Sequence, residues 1–256
     1  MTPKIIHQIW IGPNSTDAPV PDRFLEFQNS WRRHCPEWEL RVWSGSQVLD
    51  LIENDFPEYL LFYRSLPQTV LQADIARLMI LSRHGGLYVD LDFELLRSME
   101  PLLREGAVIV GRESGGMGYY MRGRDFVMNA LIASPPEHPV WRELLARIVA
   151  DYRPRRFGEL PEVYVIRRVI MLFDDTLENR AASHGDVVIY PSEVLYPAKQ
   201  VVRSVEERRR LAAQLGSYSI HHYDNSWFSP SMRLLTWIRY LSSKACGFRM
   251  PRRTIL

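Results

Sequence analysis

Only two of the 256 residues are cysteine, Cys35 and Cys246. Two thiols cannot supply a disulfide framework or a cysteine zinc site, so a reducing, cytoplasmic setting is the expectation. Long apolar runs are also missing. None approaches the roughly 18 residues that a membrane-crossing helix requires. Met1-Thr2-Pro3-Lys4 leads into a short apolar stretch ending at Trp10, with no cleavable signal pattern. Neither an internal repeat nor a low-complexity linker interrupts the chain, which favours one main domain. Net charge is small, at +2, but its distribution is uneven. From Asn225 to Leu256 there is no Asp or Glu, while Arg233, Arg239, Lys244, Arg249, Arg252 and Arg253 contribute +6. The preceding residues therefore carry −4, the difference between +2 and +6. A mildly acidic body with a basic end points to an anionic contact at that end.

What is present reads as alternating strands and helices. Lys4 to Trp10 is a β-branched run closed by Gly12-Pro13, a predicted first strand. Asp22 to His34 is a predicted helix, Trp38 to Trp43 a second strand and Ser46 to Asn54 a second helix. That order favours an α/β domain with a mainly parallel central sheet. Ser65-Leu66-Pro67-Gln68 fits a capping box for a helix running from Thr69 to about Arg83. Between Val70 and Leu81 only Gln72, Asp74 and Arg77 are polar, so this helix belongs in the core. Asp74 and Arg77 stand three apart on one face. Two buried charges are costly unless paired or used.

Gly85-Gly86 ends the helix, and Leu87-Tyr88-Val89-Asp90-Leu91-Asp92-Phe93 follows. In an extended chain Leu87, Val89, Leu91 and Phe93 share one face, with Tyr88, Asp90 and Asp92 on the other. Asp90 and Asp92 then sit side by side where a strand ends, the edge at which open α/β sheets bind ligands. Neighbouring carboxylates repel unless a cation lies between them, and Mn²⁺ or Mg²⁺ suits oxygen ligands.

Ala73-Asp74-Ile75-Ala76-Arg77 followed by Gly85 to Asp92 resembles the signature of the DxD sugar-binding glycosyltransferases. This group includes glycosyltransferase family 32, the Och1-type and inositol-phosphoceramide mannosyltransferases, and the catalytic domains of the clostridial glucosylating toxins. Pro3 to Trp10, Met128-Asn129-Ala130 with His138-Pro139, and His221-His222-Tyr223 with Ser226-Trp227 are similar to further segments of it. The resemblance spans about residues 3 to 228, with 1–230 as the catalytic domain. It implies a GT-A, Rossmann-like fold, a UDP- or GDP-hexose donor, a divalent metal and transfer that retains anomeric configuration. Asp90 would contact the donor ribose and sugar, and Asp92 would bind the metal. Asp74 and Arg77 would hold sugar hydroxyls. Trp10, or the backbone beside it at Ile9, would lie against the base. Tyr88, Asn129, Ser226 and Trp227 complete the implied donor site, and His222 and Asp224 the implied metal shell. The family's Thr-Gly-Pro segment is not reproduced at Gly158 to Val163, so the acceptor side departs from the pattern.

Carboxylates at i and i+2 on one strand face lie on one side of a sugar, which suits a metal clamp better than a glycosidase pair. The alternatives are a non-catalytic sugar-nucleotide or glycan-binding module and a metal-dependent phosphohydrolase using Asp90 as nucleophile. Of the histidines, His7 reads as a satisfied sheet residue and His138 as a helix cap. His221 and His222 face opposite sides, so one is free for a metal or phosphate. Tyr119 and Tyr120 border the expected acceptor cleft. From Met232 to Ser243, Leu234, Leu235, Trp237, Ile238 and Leu241 form an apolar stripe beside Arg233 and Arg239. Residues 231–256 are therefore a basic amphipathic helix and tail. Segment 232–253 would either dock on the body or contact an anionic membrane peripherally, near a glycan or lipid-linked acceptor. No nucleic-acid motif accompanies the basic residues.

Overall fold

The computed structural model describes residues 1–12, 17–113, 125–152, 161–198 and 204–224, with only the backbone described for 161–167. The chain divides into two compact units, Met1–Tyr223 and Asp224–Leu256. Of the second, only Asp224 is described, and it is exposed. Ser226, Trp227, the 232–243 helix, Tyr119, Tyr120 and residues 158–160 lie outside the described residues.

The first unit is built on a six-stranded sheet. Its strands are β1 (Ile5–Ile9), β2 (Glu39–Trp43), β3 (Gly86–Val89), β5 (Val108–Glu113), β6 (Phe126–Ser134) and β7 (Val187–Tyr190), with β4 (Phe93–Leu95) outside it. Their order is β2-β1-β3-β6-β5-β7. β1 runs parallel to β2 and β3, and β5 to β7, while β6 lies antiparallel between β3 and β5. This is the mainly parallel sheet that the alternation of elements predicts, in the GT-A, Rossmann-like arrangement that the resemblance implies.

Apolar residues cover both faces of the sheet. Tyr88, Val108, Val110 and Ile132 join α2 (Gly45–Asp55), α4 (Thr69–His84), α5 (Pro139–Asp151) and α6 (Pro161–Ser183) in one cluster. Leu87, Val89, Ile109 and Ala133 join Trp31 of α1 (Leu25–His34) and Tyr196 in the other. The predicted burial of α4 holds, and Leu71 and Ile75 to Ser82 are all buried along it. Two local expectations change. Ser65 ends α3 (Leu60–Ser65), with its hydroxyl donating to Phe62 O at 2.6 Å, so Gln68 rather than Ser65 precedes α4 and supplies no side-chain cap. The strand predicted to reach Phe93 stops at Val89. Asp90 N still donates to Ala130 O at 2.9 Å, after which Phe93 N returns to Asp90 O at 3.2 Å in a turn. The chain re-enters as β4, paired antiparallel with β8 (Ser219–His221).

The passage from α4 into β3 explains the double glycine. Gly85 and Gly86 have φ of +60° and +91°. A Cβ on Gly86 would meet Ile5 O at 2.7 Å and His7 Nε2 at 3.0 Å. His7 is fully buried. Trp43 Nε1 donates to its Nδ1 at 3.0 Å, so its Nε2–H donates to Gly85 O at 2.9 Å. It is the satisfied sheet histidine the sequence suggests, and His138 caps α5 by accepting from Val140 N at 3.4 Å.

Gly86→Ala is expected to lower unfolding stability in urea by about 3 kcal/mol, from backbone strain plus the clash. Gly106→Ala, at φ +74° with nothing within 4 Å, should lose only about 1 kcal/mol. Equal losses would contradict this reading of the junction. Burial pushes the His7 imidazole down to about 3, below its ordinary 6.5. Between those values the unfolded chain binds a proton that folded His7 does not, so His7 makes stability rise with pH across that window. Ring ¹⁵N shifts of His7 should stay those of a neutral imidazole at pH 5, and a titration midpoint near 6.5 would refute the buried, bonded state.

Candidate active site

The site starts from a charge problem inside α4. Side chains of Asp74 and Arg77 are 5% and 4% exposed, and an uncompensated ion at such depth costs several kcal/mol. The compensation is specific. Arg77 Nη2 meets Asp74 Oδ1 at 2.8 Å, and Nη1 meets Asp90 Oδ1 at 3.3 Å. Nη1 also donates to Asn129 O at 2.8 Å, and Nε to Ala73 O at 3.3 Å. The guanidinium lies over the Tyr88 ring, 4.6 Å from its centroid. Asn129 Nδ2 donates to Asp74 Oδ1 at 2.9 Å, and Tyr88 OH to Asp90 Oδ1 at 2.7 Å. One cation thus ties α4 to β6 and to the carboxyl end of β3. Five predicted site residues (Asp74, Arg77, Tyr88, Asp90 and Asn129) form this one network.

Asp90 and Asp92 continue outward from it. The antiparallel pairing of β4 with β8 places His221 opposite Phe93, which carries its imidazole to the turn. His221 Nε2 lies 3.3 Å from Asp92 Oδ1. Ligand atoms of Asp90, Asp92 and His221 all fall within 4.8 Å of one another. The electrostatics fit a cation. Burial raises the Asp90 carboxyl above its usual range, Arg77 opposes this, and Asp92 reinforces it. Burial works against the His221 charge, yet Asp92 holds its pKa above the ordinary value. Two charges about 4 Å apart interact by roughly 4 kcal/mol at an effective dielectric near 20, so the carboxylate pair gains from a positive partner. Two carboxylates and an imidazole are a donor set that could hold a divalent cation.

His222 lies elsewhere than the metal-ligand expectation puts it. Its Nε2 meets Glu94 Oε2 at 2.9 Å and its ring stacks on Phe27 at 4.4 Å. The alternation along β8 turns one histidine to each side, and the register selects His221 for the carboxylates. Ile9 is a core side chain, 8% exposed, and pairs with Trp43 of β2 in the sheet. Trp10 is half-buried at the carboxyl end of β1, with its ring 6.0 Å from that of Phe24. Its Nε1 has no hydrogen-bond partner among the described residues.

One residue escaped sequence reasoning altogether. Glu113 ends β5 at the same carboxyl edge and is 1% exposed, with the His221 imidazole and the Tyr223 hydroxyl acting on its carboxyl. Burial pushes its carboxyl up to about 7. The only signal in the sequence is a carboxylate closing the otherwise apolar run Val108-Ile109-Val110.

Removing the central cation should expose the energetics of the network. Arg77→Met is expected to destabilise the fold by about 3–5 kcal/mol, because it leaves Asp74 buried and Asp90 half-buried without their cation. Adding Asp74→Asn should recover part of that loss in a double-mutant cycle by urea denaturation. Strict additivity would mean that the pair is energetically inert.

Residues 21–109 match the family described as glycosyltransferase sugar-binding region containing DXD motif. Inositol phosphoceramide mannosyltransferase 1 of Schizosaccharomyces pombe is 23% identical over 92% of this chain and 65% of its own length. The initiation-specific alpha-1,6-mannosyltransferase of Candida albicans is 30% identical over 57% of this chain, which spans 42% of that protein. The crystal structure of the glycosyltransferase domain from the YGT toxin shares the fold, with a TM-score of 0.52 and 9% identity over 73% of this chain and 80% of that one. Residues 21–109 are therefore similar to a DXD-containing sugar-binding region, the sheet has the GT-A, Rossmann-like arrangement, and the chain is related to fungal mannosyltransferases.

Proposed function

We propose that this protein is a metal-dependent, retaining glycosyltransferase that moves a hexose from a nucleotide-diphosphate donor to a glycan, lipid-linked or protein acceptor. The observation that carries the reading is the convergence of Asp90, Asp92 and His221 at the carboxyl edge of the sheet, directly beside the Asp74–Arg77 pair. Two relatives are mannosyltransferases by name, one of them for inositol phosphoceramide. That favours mannose, from GDP-mannose, and a lipid-borne acceptor.

Asp90, Asp92 and His221 would hold the ion, with Asp224 as a further ligand, and Mn²⁺ suits the imidazole better than Mg²⁺. A bound divalent ion supplies Lewis-acid stabilisation of the charge that builds on the leaving diphosphate. The chain's own groups do the rest. Arg77 fixes Asp90 before substrate arrives, so the site needs little reorganisation as charge develops. Asp74 and Asn129 would hold sugar hydroxyls, and Trp10 would lend its ring to the base. Ser226 and Trp227 would close over the donor. Asp90 already bonds Tyr88 OH and Arg77, which suits an anchor better than the free nucleophile of a phosphohydrolase. The acid-free, basic composition of 225–256 supports peripheral contact with an anionic membrane through 232–253, in a cytoplasmic setting.

A donor panel of UDP-glucose, UDP-galactose, UDP-N-acetylglucosamine and GDP-mannose with Mn²⁺ tests the reading. Hydrolysis or transfer with one donor is expected, and Asp92→Asn should lower it by at least about 100-fold while the fold is retained. Silence with all four donors, or an Asp92→Asn enzyme with normal metal-stimulated turnover, would sink it. Silence accompanied by a thermal shift with one donor would instead mark a binding module.

A further inference from the structure

Asp92 and His221 stand at the end of a small ribbon. β4 and β8 are three residues each and form a two-stranded sheet apart from the six-stranded one. A ribbon of that size is marginal in water by itself, so its geometry is set by the groups that bond against it. One face carries Phe93 and His221, opposite each other in register and stacked at 4.8 Å, with His221 reaching Asp92. The other face carries Glu94. Glu94 lies opposite Ile220, which makes His222 its diagonal neighbour. His222 Nε2 meets Glu94 Oε2 at 2.9 Å, so the strands are joined through side chains as well as backbone. Glu94 is also gripped from outside the ribbon. Arg209, on the helix Val205–Leu215, donates from Nε to both Glu94 oxygens at 3.0 Å, and its Nη2 reaches Glu26 of α1. The Glu94 side chain is only 12% exposed, which protects these charge-assisted bonds from screening.

The His222 peptide carries this grip to the ligands. Its N–H donates to Asp92 O at 2.9 Å, and its carbonyl accepts from Arg208 Nη1. The residue that Glu94 holds is thus bonded to the backbone of Asp92 and joined covalently to His221. α1 backs the assembly, with Phe27 stacked on His222 at 4.4 Å and Trp31 Nε1 donating to Phe93 O at 2.8 Å. Resting on the metal reading above, we infer that Glu94 is the positioning residue for Asp92 and His221. One carboxylate ties β4, β8 and the helix Val205–Leu215 together, and through Arg209 it reaches α1. It sets two ligand-bearing residues against Asp90, which Arg77 fixes separately. The role matches that of outer carboxylates around metal sites, here transmitted through a peptide group. It also gives a use to His222, which points away from the carboxylate pair. Glu94 touches neither the ion nor the donor in this role.

Isothermal titration of the full chain with Mn²⁺ alone, paired with thermal unfolding without metal, tests it. Glu94→Leu is expected to bind Mn²⁺ about 10-fold more weakly than wild type. Glu94→Gln keeps an oxygen for His222 and for Arg209 and should recover most of the affinity. Arg180→Leu is the control, since it breaks another half-buried pair, to Asp186 at 2.7 Å, just before β7. It should lower the melting temperature and leave the affinity unchanged. Should Glu94→Leu fail to fold, Arg209→Met, at a more exposed position, takes its place and should also bind more weakly. Wild-type affinity in whichever of these two variants folds, with Asp92→Asn still losing the metal, overturns the inference and leaves the metal reading standing. Equal losses of affinity in Glu94→Leu and Arg180→Leu would likewise overturn it, by assigning Glu94 a merely structural role. Absence of Mn²⁺ binding by wild type would overturn the metal reading itself, and this inference with it.

Discussion

The structure depends on one buried cation. Arg77 is almost inaccessible to water, yet it meets Asp74, Asp90, the Asn129 carbonyl and the face of Tyr88 at once. Any of these contacts alone would leave a charge poorly solvated, and breaking one partner from a buried pair is costly. Together they lock a core helix, the antiparallel strand and the end of β3 into one geometry. Asp90 is thereby held at the sheet edge in a defined orientation, and Asp92 follows it by two residues into the turn. A site that must meet a diphosphate and a metal needs its carboxylates placed before the ligand arrives. Here the placement is provided by the fold itself.

Much of this was legible in the chain because it is local. The apolar circumference of Thr69–His84 announced a core helix, and the two charges on it announced a use for them. The double glycine marked a passage that β-carbons would block at Ile5 O and Pro136 N. The alternation of Tyr88 and Asp90 on one face survives as a 2.7 Å hydrogen bond. The strand's true end at Val89 was less visible, because Leu91 and Phe93 continue the same apolar period through what becomes a turn. Ser65 misled for a similar reason. A short helix ending there satisfies its hydroxyl locally and removes it from the capping role.

What stayed hidden depends on pairings between distant segments. Local patterning separates His221 from His222 but does not say which one faces the acids. That choice is made by β8 pairing with β4, some 128 residues away. Glu113 is a still harder case, since the groups that its charge acts on, Tyr196, His221 and Tyr223, come from beyond β7. The family match falls on residues 21–109, which include α4 and β3, where the local signals are strongest.

The central claim is that Asp90, Asp92 and His221 form one divalent-cation site held open by Arg77. Anomalous diffraction from crystals grown with Mn²⁺ addresses it directly. The account predicts a single strong peak bounded by the two carboxylates and Nε2 of His221. A peak beside Glu94 and His222, or no peak at the carboxyl end of β3 under saturating Mn²⁺, would contradict it.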